Sequence, residues 1–217
     1  MLTLGLDLKA AQPLRLLCLG AHCDDIEIGC GATILKLLER HPGSKVRWVV
    51  FTGSSLRQAE ARAAAERFLA GAEEVRVDLL SFRESFLPQA WGAVKEEFER
   101  LKAEFPPSLV LTHSTTDHHQ DHRVVAELTW NTFRDHLVLE YEIPKYEGDI
   151  GNPNLFVPVE RAHAETKVET LARCFASQKS RTWFDPTTFL GMMRLRGIGC
   201  NSPSGYAEAF TARKLLL

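Results

Sequence analysis

Apolar and polar positions change period along the chain. "LRLLCLG" (14–20) is an almost unbroken apolar run too short for a helix, and it predicts a buried strand. "EIGCGATILKLLER" (27–40) then spaces its apolar residues for a helix that stops near His41-Pro42-Gly43. "VRWVVFTG" (46–53), rich in β-branched and aromatic residues, reads as a second strand. An Ala-rich helix over 55–72 follows, with Gly71 near its end, then a strand over 73–80. A helix over 90–105 is closed by Pro106-Pro107, and "SLVLTH" (108–113) is a short fourth strand. Beyond Arg123, "VVAEL" looks helical. "LVLEYEIPKY" (137–146) predicts another strand, "EGDIGNPNLFVP" (147–158) a loop and "HAETKVETLARCFASQK" (163–179) a helix. The tail from Arg194, "RLRGIGCNSPSGYAEAFTARK", ends on aromatic and charged residues.

Strands separated by helices of about 12 residues or more imply right-handed crossovers and a mostly parallel sheet. The expected fold class is therefore α/β, a Rossmann-like sheet flanked by helices, with residues 1–217 forming a single domain. In such sheets ligands bind beyond the carboxyl ends of the strands, near the point where strand order reverses. Two polar stretches fall at such ends, one after 14–20 and one after 108–112.

The first is "GAHCDDIEIGCGATI" (20–34). An Asp before a helix commonly caps it. Two adjacent carboxylates cannot share one cap, so the second needs another partner. His22, Asp24 and Asp25 together offer the nitrogen and oxygen ligands that zinc and similar divalent ions accept. Gly29-Cys30-Gly31-Ala32 lacks the order of a dinucleotide-binding turn, and no phosphate-binding Gly-Lys-Ser/Thr loop is present. These small residues predict close helix packing instead.

The second is "HSTTDHHQDH" (113–122), which holds four of the eight histidines. That density points to metal or proton chemistry. His122 can complete a site with His22 and Asp25, while His119, three residues before it, stands beside the metal. Asp121, and with less weight Asp117, can receive a ring N–H and fix a histidine tautomer. Three protein ligands leave room for water and substrate, the catalytic arrangement. Asp24 is then the natural general base, and a histidine opposite protonates the leaving group or stabilises an oxyanion. His113 and His118 are given no role.

Ala21-His22-Cys23-Asp24-Asp25 resembles the Ala-His-Pro-Asp-Asp signature of the PIG-L/LmbE-like deacetylases. His119-Gln120-Asp121-His122 is similar to that family's His-x-Asp-His signature, and "YAEAF" and "KVETLARCFASQ" extend the likeness along the chain. The resemblance implies a zinc-dependent N-deacetylase acting on an N-acetylglucosamine-type sugar or glycoconjugate. It implies His22, Asp25 and His122 as zinc ligands, Asp24 as base, His119 as acid or oxyanion stabiliser, and Asp121 as an orienting group. Cys23 departs from the family proline, which would stiffen the turn. Arg83 is a weaker candidate for substrate binding. Arg57 and Glu60, three apart at the start of the second helix, are candidates to line the site, with an ordinary helix-surface pair the preferred reading, and Glu208 reads as a contact at the site rim or with a subunit neighbour.

Other classes remain on these residues: a non-catalytic metal- or sugar-binding protein, or a non-haem Fe(II) oxygenase. Intact Asp24 and His119 argue against the first, and the alternation of strands and helices argues against the second. Fe2+ would accept the same ligands as zinc. A formal charge of −2 leaves no electrostatic footprint for nucleic acid. No apolar run approaches the ~18 residues of a membrane span, and the first residues do not read as a secretory leader. Five cysteines without a Cys-x-x-Cys pair predict free thiols and a cytoplasmic setting. The expected partner is a small-molecule amino sugar or glycoconjugate, with a homo-oligomer left open.

Overall fold

A computed structural model describes residues 12–215; most of the N-terminal stretch read above as no leader lies outside them. Seven strands form one sheet in the order β3-β2-β1-β4-β5-β7-β6. The strands β1 (Arg15–Gly20), β2 (Lys45–Thr52), β3 (Glu74–Phe82), β4 (Leu109–His113) and β5 (Leu137–Tyr141) run parallel, as alternation with helices requires. The last two, β6 (Leu155–Val159) and β7 (Tyr206–Ala212), are antiparallel additions. The mostly parallel α/β sheet is thus as expected, with an antiparallel edge that the pattern did not announce.

Side chains alternate across β1, so each face feeds its own core. Leu16 and Cys18 join a cluster covered by α1 (Asp25–Arg40), α2 (Ser55–Phe68), α5 (Arg161–Cys174) and α6 (Pro186–Gly199). Leu17 and Leu19 point the other way, towards α3 (Trp91–Glu104) and α4 (Gln120–Thr132). The expected close packing of α1 is real. A Cβ on Gly29 would lie 2.2 Å from the Tyr141 ring, and one on Gly31 would lie 2.7 Å from Phe68.

Two expectations need correction: the segment read as a loop contains β6, and the strand expected over 137–146 ends at Tyr141. The tail, to which no element was assigned, carries the end of α6 and all of β7. Among the described residues β6 pairs only with β7, and that edge position is what tolerates its Pro158. Strand order reverses between β1 and β4, which opens a crevice beyond their carboxyl ends. No helix among the described residues is long and apolar enough to cross a membrane.

Candidate active site

Both polar stretches meet in that crevice. Residues 21–25 leave β1 and enter α1, and residues 114–119 leave β4 and enter α4. The Ala21 amide donates to His113 Nε2 at 2.9 Å, which joins the two strand ends. Asp24 occupies the N-cap position of α1 but its side chain caps nothing. It turns instead to Arg57, whose Nη2 lies 2.7 Å from Asp24 Oδ1. The Asp25 carboxylate folds back to accept the His22 amide at 2.7 Å.

Two ring nitrogens and one carboxylate converge. His22 Nδ1 is 3.1 Å from His122 Nε2 and 3.3 Å from Asp25 Oδ2, and His122 Nε2 is 3.5 Å from Asp25 Oδ1. Ligand atoms arranged tetrahedrally around zinc stand about 3.4 Å apart. The outer ring nitrogens are engaged elsewhere: His22 Nε2 lies 3.3 Å from Asp121 Oδ2, and His122 Nδ1 lies 2.9 Å from Asp117 Oδ2. If those carboxylates receive the ring N–H groups, two imidazole lone pairs face each other at His22 Nδ1 and His122 Nε2. Only a cation or a proton reconciles them. The residues present therefore fit a divalent metal.

The surrounding field has the same sign. Asp24, Asp25, Asp117 and Asp121 are buried together, against Arg57 and Lys145 as fixed cations. Burial lowers the basicity of His22, but the Asp25, Asp121 and Asp24 carboxylates overcome it and raise the imidazole to about 10. Burial pushes the Asp24 carboxyl up to about 6, against the pull of Arg57 and with the push of Asp25.

His119 is the N-cap of α4, with Nδ1 accepting the Asp121 amide at 3.2 Å. That bond leaves the neutral ring's proton on Nε2. Burial and the neighbouring His122 and His22 hold the imidazole below its ordinary basicity, so the ring is a neutral donor. It packs against both histidines, with ring centroids 4.7 Å from His22 and 4.6 Å from His122.

Some residues fall elsewhere than expected. Arg83 is exposed, its guanidinium 3.5 Å above the Phe86 ring, and no contact ties it to the cluster. Arg57 and Glu60 are not a helix-surface pair: Arg57 reaches Asp24, while buried Glu60 accepts the amide and hydroxyl of Ser177. Glu208 is buried against α1 rather than at a rim. His113, given no role, is fully buried, with Nε2 3.1 Å from Asp25 Oδ2 and its ring stacked on His122 at 3.8 Å. Cys23 donates weakly to the Thr52 carbonyl, facing away from the histidines, and all five cysteines are free.

A family model described as PIG-L, GlcNAc-PI de-N-acetylase, matches residues 17–133, which contain both polar stretches. The chain belongs to the PIG-L family. No curated protein shows significant sequence similarity to it. Solved structures share the PIG-L fold over nearly the whole chain. The N,N'-diacetylchitobiose deacetylase from Pyrococcus horikoshii, complexed with its inhibitor MPG, superposes with a TM-score of 0.70 at 19% identity, covering 94% of this chain and 84% of its own. A zinc-inhibited form of the teicoplanin deacetylase Orf2 gives 0.71 at 16%, covering 91% and 97%. GalB, the 4-carboxy-2-hydroxymuconate hydratase from Pseudomonas putida KT2440, gives 0.71 at 19%, covering 93% and 97%. At these identities the PIG-L likeness establishes the fold, and the chemistry must be argued from the site.

Sequence reasoning gave Arg57 too little weight and His113 no role within this PIG-L site. The signal for both was topological: β2 and β4 also end at the same sheet edge, so His113 at the end of β4 meets Asp25 and Arg57 just beyond β2 meets Asp24.

Proposed function

We propose that this chain is a zinc-dependent N-deacetylase that removes the acetyl group from an N-acetylglucosamine-type sugar or glycoconjugate. The whole 1–217 chain is read as one deacetylase domain, and its free thiols suit a reducing cytoplasm. The observation that carries the reading is the facing pair His22 Nδ1 and His122 Nε2 beside the Asp25 carboxylate. Those three residues would hold the metal. Zinc held there supplies Lewis acidity and a water acidified towards ~7.

Asp24 takes the proton from the attacking water, helped by burial that brings its basicity near neutrality. Arg57 keeps the carboxylate oriented. His119, neutral and carrying its proton on Nε2, donates to the oxyanion that forms when water adds to the acetyl carbon. Asp24 then returns the proton to the departing amine, leaving acetate and a free amino sugar. Asp121 and Asp117 fix the two ligand histidines in the tautomers this requires.

The test is acetate release from N-acetylglucosamine and acetylated sugar nucleotides by the zinc-loaded protein and its Asp24→Asn variant. The variant should keep its zinc and lose roughly 10²–10⁴-fold in kcat. Zinc loss in the variant would make Asp24 a ligand rather than a base. Hydration of an unsaturated acid, with no acetate released from any amide, would replace the reading with chemistry of the kind named for GalB.

A further inference from the structure

The connection from β5 to β6 carries a buried cation that the mechanism above leaves unused. Lys145 Nζ lies 2.6 and 2.7 Å from the two Asp149 carboxylate oxygens and 3.0 Å from Asp117 Oδ2. Its side chain is 8% exposed, and those of Asp149 and Asp117 are 4% and 5%. This is an interior triad on a segment that otherwise faces solvent. The neighbours Tyr146 and Ile150 are 66% and 42% exposed.

Asp117 uses both of its oxygens on the site. Oδ2 meets His122 Nδ1 at 2.9 Å, and Oδ1 accepts the His119 amide at 2.7 Å. Asp149 grips the intervening residue, accepting the His118 amide at 2.6 Å. The peptide 117–119, which aims both His119 and His122, is therefore held from two sides by carboxylates, and Lys145 binds those carboxylates to each other. Without the ammonium, two buried like charges would stand side by side and separate.

We propose that Lys145 is a positioning residue that sets the aim of His122 and His119 through Asp117, and so makes the exposed 146–150 segment part of the site's frame. This rests on the deacetylase reading above for the roles of the two histidines.

The experiment compares wild type, Lys145→Met, Lys145→Gln, Lys145→Arg and Asp149→Asn. Three quantities are read: zinc affinity of the metal-free protein against a chromogenic chelator, amide hydrogen exchange over 114–122 in the metal-free protein, and kcat and KM separately. Lys145→Met should weaken zinc on the order of 10-fold or more, as loss of support behind a ligand histidine does. It should also speed exchange at His118 and His119 and lower kcat. Lys145→Arg should restore most of the zinc affinity, because it returns the charge and the donors. Asp149→Asn keeps the lysine on Asp117, so its main effect should be faster exchange at His118, with a smaller loss of zinc affinity than in Lys145→Met.

Zinc affinity, kcat and exchange in Lys145→Met all matching wild type would overturn the proposal. Should Lys145→Met fail to fold, Lys145→Gln takes its place with the same expectation, since it keeps donors but not charge. Wild-type protein that binds zinc but releases no acetate would remove the deacetylase reading, while zinc affinity and exchange would still decide the role of Lys145. Wild-type protein that binds no zinc would overturn both, whatever the exchange shows.

Discussion

Glu27 is the residue whose setting is hardest to reconcile with an ionised side chain. It is fully buried on α1, and neither carboxylate oxygen has a partner among the described residues. Burial, reinforced by Asp24 and Asp25, pushes its carboxyl well above the ordinary 4.5, so the folded protein keeps it protonated to higher pH than the unfolded chain does. In the unfolded chain the same group ionises above 4.5. The folded state then binds the extra proton, and stability present below pH 4.5 is lost as pH rises. Glu27→Gln, neutral at every pH, should therefore be more stable than wild type at pH 7 in urea unfolding with a chelator present. The gap should close near pH 4.5, and equal stabilities at both pH values would sink this account. Nothing in the sequence marked Glu27, because a Glu two residues into a helix is ordinary in composition. His22, Asp24, Asp25, His119 and His122 were legible because short spacing alone puts them at two strand ends. Asp117 was underweighted for the converse reason: spacing does not say which of two carboxylates can reach around a turn to a ring nitrogen.

At the scale of elements, α1 is interrupted, and the interruption lies just behind the site. Cys30 has non-helical angles (φ −148°, ψ 16°). The bond that Ala32 would make to Ile28 is replaced by a buried ion pair. Lys167 donates to the Ile28 carbonyl, while Glu208 accepts the Ala32 amide at 3.1 Å and the Thr33 amide at 2.6 Å. The two side chains meet at 2.6 Å. Lys167→Met should cost about 3–5 kcal/mol, the usual penalty for orphaning one buried partner. Replacing a buried pair by apolar residues is often neutral. Here Lys167→Met with Glu208→Leu should instead remain destabilised, because three backbone groups lose their partners as well. Urea denaturation of the single and double variants reads this directly, and a double variant as stable as wild type would refute it. The same inward Glu208 helps explain why β7 was illegible. "YAEAFTA" places a charge and small residues where a core strand is expected to show bulk. For α6 the start signal was present in Asp185-Pro186, a capping Asp with proline in the first turn. Exposed Leu195 and Ile198, both more than 60% accessible, blurred its apolar face.

For the whole molecule, the decisive fact is that residues 100 apart in sequence end 3.1 Å apart, as His22 and His122 do. The alternation of strands and helices was enough to expect this, since each crossover delivers its loop to the same sheet edge. Strand order, which decides that β1 and β4 are neighbours, is not encoded in local periodicity. A metal in the crevice would therefore act as a tie between two halves of the parallel sheet, and it would relieve the mutual repulsion of four carboxylates. Zinc at about 100 times its dissociation constant should raise stability by ~2.7 kcal/mol. For a chain of this length that corresponds to a rise of roughly 5–10 °C in Tm. His122→Ala should abolish the zinc-dependent rise. Its chelator-treated Tm should fall below that of chelated wild type, because the buried ring stacks on His113 and bonds Asp117, so the zinc-dependent rise is read against each protein's own chelated Tm. Scanning calorimetry with and without zinc separates the two terms. A zinc-induced rise of equal size in His122→Ala would mean that the ion binds elsewhere, and the strand reversal at β1 and β4 would then hold no metal.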